Sequence, residues 1–322
     1  MPCGRVGAPR TIPVVRGCSL VTAVVVGAAL LLGACAPPPP RPTPVADLHG
    51  ARYVVAGGPT DQLVLLCHLA VAVVQAAGAE ATEQCGKLGA ADVRLPGRST
   101  VDLGWAYVGR ADRDLDGGPD QPAPFAAIAA ADAARGVTWL APTAFADTDA
   151  LVVGNPVAAG GVRTVSDLVA HPSAVLCAPP GAAGDPRGLG GLLATYGVDP
   201  AVVRPLDPGA VLTETARGRC TAGLVPGTSG RIPALGLVAL DDDRGGFGRG
   251  TDGRPGPGRG GAAPVVRTPV YAAHPQVAAV LGALTSRLTD DVVRELDRRI
   301  TVEGRDARDV ARGWARDAGL TP

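Results

Sequence analysis

The chain has 322 residues, with 30 Lys and Arg against 30 Asp and Glu, 46% apolar residues and only 3% aromatic ones. That length holds two ordinary cores, and the balanced charge lacks the basic face that nucleic acid requires. A disordered chain would be less apolar and a multi-span membrane protein would repeat long uncharged runs, so both classes are excluded.

Arg5, Arg10 and Arg16 open the chain without a neighbouring acid, and residues 17–35 carry no charge. A basic start, a short apolar run and small residues before a break are the marks of a secretory signal. The run ends in Leu32-Gly33-Ala34-Cys35, which resembles the lipobox of bacterial lipoproteins. That resemblance implies a signal peptide over residues 1–34 and acylation of Cys35 as the first mature residue. Two or more acyl chains anchor stably where one does not. An ordinary signal peptide that happens to end in Cys, or an uncleaved anchor, is the alternative. Residues 35–50 follow as a tether, whose six prolines between Pro37 and Pro44 favour an extended, semi-rigid spacer.

Residues 52–56 read as a strand and Gly57-Gly58-Pro59 as a turn. Thr60 is a good N-cap, with Asp61 in the first turn where the helix dipole favours an acid. The next sixteen residues are apolar nearly all round up to Gly78, which predicts a buried helix containing His68 as a core residue. Short strands are expected at 93–96, 101–108, 137–142, 150–154, 174–179, 202–206, 220–226 and 236–243, with helical stretches between them. Strands alternating with helices indicate an α/β fold with mainly parallel sheets. The stretch 244–264 is rich in Gly, Pro and Arg and reads as a surface loop. Its Gly248-x-Gly250-x-x-Gly253 has the form of a dinucleotide fingerprint, but Pro255 and Pro257 forbid the helix that must follow. Helices return after Pro275, after Thr289 and over the last amphipathic run to Gly319.

Cys67, Cys85, Cys177 and Cys220 form an even set for an oxidising compartment, and four cysteines allow three pairings. Free thiols are the alternative, and a metal site has no CxxC to support it.

Several segments together resemble the substrate-binding proteins of ABC importers for glycine betaine, choline and related compatible solutes, the OpuAC or ProX type. They are Thr60-Asp61-Gln62, Val101-Asp-Leu-Gly-Trp-Ala-Tyr-Val-Gly109, Val137-Thr-Trp-Leu-Ala-Pro142, Thr164-Val-Ser-Asp-Leu168, Gly188-Leu-Gly-Gly-Leu192 and Val310-Ala-Arg-Gly-Trp314. The ordered set spans residues 52–320. The resemblance implies a two-lobed, periplasmic-binding-protein-like (type II) α/β fold with the ligand in the cleft between lobes. Residues 51–147 would begin lobe one, 148–233 would form lobe two, and 234–322 would return to lobe one with the C-terminal helices. Each half then holds one cysteine pair, so Cys67–Cys85 and Cys177–Cys220 are the expected disulfides.

The same resemblance implies capture of a small polar or cationic solute by lobe closure and delivery to an ABC permease, on the extracytoplasmic face of the membrane. No chemistry, cofactor, metal or nucleic acid is implied. Family members hold a quaternary ammonium in a cage of aromatic rings, because such a cation cannot donate hydrogen bonds and cation–π attraction takes their place. Tyr107 matches a cage tyrosine. Asp149 stands where a second is expected, and Leu212 where another is expected. Arg110 replaces a Thr, and Asp185-Pro-Arg187 exchanges the charges of an Arg-x-Asp. The ligand-binding set read from this resemblance is Thr60, Asp61, Tyr107, Arg110, Thr148, Asp149 and Arg187, with Trp105, Trp139 and Phe145 as further rings that fit a core equally well.

Two rivals remain. An envelope hydrolase would need a nucleophile elbow, and Gly227-Thr-Ser-Gly230 has the wrong spacing; His49, His68, His171 and His274 show no metal spacing. A lipoprotein that kept the fold but lost solute capture, serving as sensor or structural partner, is motivated by the missing cage residues.

Overall fold

The computed structural model describes residues 46–87, 100–113, 124–171, 173–247 and 261–322. The expected signal peptide, Cys35, most of the tether, the 93–96 strand and the Gly248–Gly253 stretch lie outside these residues.

Strands β1 (Arg52–Gly57), β2 (Glu80–Cys85), β3 (Leu103–Tyr107), β4 (Val137–Trp139) and β10 (Ala262–Arg267) form one sheet in the order β2-β1-β3-β10-β4. Strands β5 (Asp149–Gly154), β6 (Leu176–Ala178), β7 (Val203–Pro205), β8 (Ala222–Pro226) and β9 (Leu237–Ala239) form a second, in the order β7-β6-β8-β5-β9. The two lobes expected from the sequence are therefore present, but the sheets are mixed rather than mainly parallel. β1 runs parallel to β2 and β3, and β6 runs parallel to β7 and β8. β10 is antiparallel to both its neighbours, and so is β5.

The reason lies in the connections. β5 and β10 are the strands through which the chain enters each sheet from the other. A strand entering that way starts at the edge shared by the lobes, where the helix-connected strands end, and must run against them. The chain leaves the first sheet after Trp139 and rejoins it at Ala262. The second sheet holds the chain through Ala239, past the return expected at 234, because Leu237 and Val238 pair with Gly154 and Val153.

Helices cover both faces of each sheet. The helix Asp61–Ala76 is capped by Thr60, whose hydroxyl accepts the Leu63 N–H at 3.3 Å, and it buries nine residues. Its Leu66 and Leu69 pack with Leu103, Trp105, Leu281, Leu284 and Leu296 in the largest core. The opposite face of that sheet packs Ile128, Val137 and Trp139. In the second lobe Leu189, Leu192 and Tyr196 cover one face, and Val211, Leu212 and Ile232 the other. Truncating a buried Leu such as Leu66 to Ala costs about 2–5 kcal/mol.

Both disulfides form as expected: Cys67 with Cys85, tying the first helix to the edge strand β2, and Cys177 with Cys220, tying β6 to the chain entering β8. β2 itself, Glu-Ala-Thr-Glu-Gln-Cys, carries no apolar run, and its polar alternation suits an edge strand covered on one face. His68 sits beneath it, 3.4 Å from Glu83, which also pairs with Arg308 at 2.6 Å. Burial pushes the imidazole pKa down against the pull of Glu83. Asp241-Asp242-Asp243, at the end of the strand expected over 236–243, organises the return. Asp242 accepts the N–H groups of Gly246 and Phe247 and the Tyr196 hydroxyl, and Asp243 accepts the Ser166 N–H. Among the described residues no helix is long and apolar enough to cross a membrane.

Candidate functional site

In open α/β sheets ligands bind beyond the carboxyl ends of the strands, where helix N-termini and loops converge. In the first sheet those ends carry Thr60, Asp61 and Gln62 after β1, and Tyr107 at the end of β3. In the second they carry Asp185 and Arg187 after β6 and the loop Gly227–Gly230 after β8. Thr148 and Asp149 join them because β5 begins at that edge, with Asp149 opposite Pro226. The sequence-derived ligand set thus falls on one shared edge of the two sheets.

One side chain spans that edge. The Tyr107 hydroxyl donates to Gln62 Oε1, and Gln62 Nε2 donates to Thr228 Oγ1 at 3.2 Å. Both partners of Gln62 are half-buried or better, so its two amide ends are satisfied by opposite lobes. Gln62 and Thr228 were absent from the residues expected to matter. Gln62 stood in the matched segment Thr60-Asp61-Gln62, but the match attached no role to it, and a Gln carries no spacing signal of its own.

The loop after β8 is gripped from behind as well. Arg294 Nε donates to the Gly227 carbonyl at 2.9 Å, and the Asp297 carboxylate accepts the Gly230 N–H at 2.6 Å. Both come from the helix Asp290–Asp297 of the first lobe. The backbones approach so closely that a Cβ on Gly230 would lie 2.2 Å from the Arg298 nitrogen, and one on Gly227 2.9 Å from the Thr148 carbonyl oxygen. Only glycine fits there. The Gly-Thr-Ser-Gly segment that lacks nucleophile-elbow spacing is thus an inter-lobe contact.

The expected site residues divide by environment. The Thr60 hydroxyl is engaged in capping its own helix. Asp61 is exposed in the first turn and adds to the field that, after burial, raises the Asp297 pKa. The Thr148 carbonyl accepts the Gly227 N–H at 3.0 Å, while its hydroxyl is buried without a hydrogen-bond partner among the described residues. The backbone N–H of Arg187 donates to Asp185 at 2.9 Å. The Arg110 side chain lies outside the described residues. Trp105, Trp139 and Phe145 are 1%, 7% and 0% exposed and belong to the cores; Trp139 donates its indole N–H to the buried Asp132 at 2.8 Å. Leu212 is also core.

Asp149 is open to solvent but lies in a concavity. The surrounding protein, followed by the carboxylates of Asp147 and Asp185, pushes its pKa up to about 6. It takes part in no ion pair among the described residues. Beside it a cavity of about 490 Å³ opens between the edge strand β9 and the helix Asp290–Asp297, with Asp241, Asp242, Phe247 and Arg294 on its walls. His68, Glu83 and Cys85 also lie close together, but the Cys85 sulfur is bound in the disulfide, which removes it as a metal ligand.

Two lobes with mixed sheets, joined by strands that start at a common edge and facing each other across a polar site, define the two-lobed solute-binding class. Residues 51–317 match the family described as the substrate-binding domain of the ABC-type glycine betaine transport system, and the chain belongs to that family. It is 29% identical to a glycine-betaine-binding protein of Pseudomonas aeruginosa over 293 residues, 85% of this chain and 91% of the relative. Among solved structures it superposes on apo YehZ from Escherichia coli with a TM-score of 0.71 at 22% identity, covering 84% of this chain and 99% of that one. A glycine betaine/carnitine/choline ABC transporter structure follows with a TM-score of 0.66 at 21% identity, covering 84% and 99%. At those identities the structural likeness establishes the two-lobed fold.

Proposed function

We propose that this chain is the lipid-anchored receptor of an importer. It captures one small polar or cationic solute between its lobes, closes on it, and presents it to a membrane permease at the extracytoplasmic face. The observation that carries this reading is the Tyr107–Gln62–Thr228 chain, a polar contact that joins the lobes through side chains alone and so can be made and broken as they move. Closure then costs little beyond what solute contacts return. The boundaries we assign are a lobe from residue 51 to 147, a second from 148, and a C-terminal return to the first.

Mooring fits the same role. Cys35 would carry the acyl chains, and the proline tether to residue 50 would hold the lobes within reach of the permease and raise effective concentration there. A disulfide in each lobe accords with an oxidising compartment. Labelling with a radioactive or alkynyl fatty acid tests the anchor. Label and membrane association should both vanish in Cys35→Ala, and their persistence would sink it.

Solute capture is tested by thermal shift and X-ray scattering with small amines, betaines and amino acids. A ligand at about 100 times its Kd stabilises the folded chain by about 2.7 kcal/mol and raises its melting temperature, and closure should reduce the radius of gyration. The second reading, a sensor or structural partner, is favoured by the loss of cage rings at Asp149 and Leu212. It predicts neither change with any solute.

A further inference from the structure

We propose that the cleft selects a cation bearing N–H donors, a primary amine or a guanidinium, held by the Asp149 carboxylate, rather than a fully methylated ammonium held by rings. This rests on the reading of the cleft as the solute site and specifies what enters it.

The argument begins with the rings. The chain has ten aromatic side chains, three Trp, four Tyr and three Phe, and all of them fall among the described residues. Trp105, Phe145 and Tyr53 are 2% exposed or less in the first core. Trp314 and Tyr271 pack against that core, and Phe125 stacks edge-on to Trp139 on the sheet's far face. Tyr196 is buried in the second lobe with its hydroxyl on Asp242. Phe247 touches the cavity but is 4% exposed and packed into the second core. Tyr107 is the one ring left at the shared edge, and its hydroxyl is fixed on Gln62. A quaternary ammonium has no donors and depends on several ring faces around it. Here one ring face is the most that the edge provides.

Carboxylates take the place of the missing rings. Asp149 heads β5 at the strand ends, and Asp147 and Asp185 lie close enough to act on its charge. On the cavity wall the cation Arg294 is already committed, to Asp291 at 2.6 Å and to the Gly227 carbonyl at 2.9 Å. A carboxylate in a concave, negatively charged site is best stabilised by a cation that also donates hydrogen bonds, because charge-assisted hydrogen bonds are short and strong. Methyl groups on the nitrogen remove those bonds and hold the charges further apart.

Two methylation ladders test this on the full chain in detergent by titration calorimetry: ethanolamine through choline, and glycine through glycine betaine, with agmatine and arginine as guanidinium probes. We expect affinity to fall with each added methyl, by at least tenfold from the primary amine or guanidinium probes to the trimethylated end. Asp149→Asn should weaken the N–H-bearing probes at least tenfold while leaving the circular dichroism spectrum unchanged and the melting temperature no lower than that of the unsubstituted chain. Affinity that rises with methylation and ignores Asp149→Asn would overturn the proposal while leaving solute capture standing. Absence of heat, thermal shift and compaction with every probe would overturn both.

Discussion

Asp297 and Gly230 meet across the lobes: the carboxylate of one accepts the backbone N–H of the other at 2.6 Å, at a point where the glycine has no room for a side chain. Burial raises the Asp297 pKa, and the Gly230 N–H pulls the other way. Removing the carboxylate in Asp297→Ala leaves a half-buried donor unpaired, at a cost of about 1–3 kcal/mol. Gly230→Ala must push two backbones apart and should cost about 1–3 kcal/mol by overpacking. Urea unfolding midpoints check both. Unchanged midpoints would mean that the loop is not held there.

Gln62→Ala cuts the contact between Tyr107 and Thr228 at its centre. A hydrogen bond of this kind contributes about 0.5–1.5 kcal/mol net, so solute affinity should drop by roughly threefold to tenfold with little change in stability. Tyr107→Phe should show part of the same loss. The readout is Kd by calorimetry together with the radius of gyration in saturating solute.

The Asp149 carboxyl titrates near 6, above the ordinary carboxylate range. A raised folded-state pKa means that ionisation is harder in the folded chain. Its contribution therefore favours folding at low pH and is lost as pH rises from the usual carboxylate value through about 6. Affinity for a cation follows the opposite course and should rise between pH 5 and 7, because the bound charge needs the ionised carboxylate. Calorimetry at pH 5, 6 and 7 checks the slope, and Asp149→Asn should flatten it.

Each disulfide closes a loop in the unfolded chain, with sequence separations of 18 and 43. Chain-entropy scaling gives about 3 kcal/mol for Cys67–Cys85 and about 4 kcal/mol for Cys177–Cys220. Paired Cys→Ser replacements should lower the unfolding free energy in that order. The reverse order would place the effect in native packing rather than in the unfolded chain.

Much of this architecture was legible in the amino-acid order, and the failures have physical causes. The helix Asp61–Ala76 announced itself through Thr60, a nearly unbroken apolar run and a glycine stop, all local signals. The α/β alternation followed from segment order, and the cysteine pairing from the lobe limits that the resemblance implies. Strand direction did not, because whether β5 and β10 run with or against their neighbours depends on where the chain enters each sheet. β2 escaped because an edge strand keeps a polar alternation; β9 was expected within the strand 236–243, but three paired residues carry too little pattern to say which sheet they join. At the candidate site, Tyr107 and Asp149 were named as expectations through matched segments. Gln62, though part of the matched Thr60-Asp61-Gln62, and Asp297 were given no role: one lies in a helix start and the other in an amphipathic helix that reads as solvated, and only tertiary placement turns them toward the opposite lobe.

The two sulfur bridges each stay within a single half of the molecule, and among the described residues none reaches across the gap. Oxidation therefore stiffens each jaw while leaving the joint to backbone torsions and to contacts as weak as one amide on one hydroxyl. Such a caliper can open and shut in a compartment where thiols are quickly fixed, with no bond needing to be reduced or remade at any turn of its cycle.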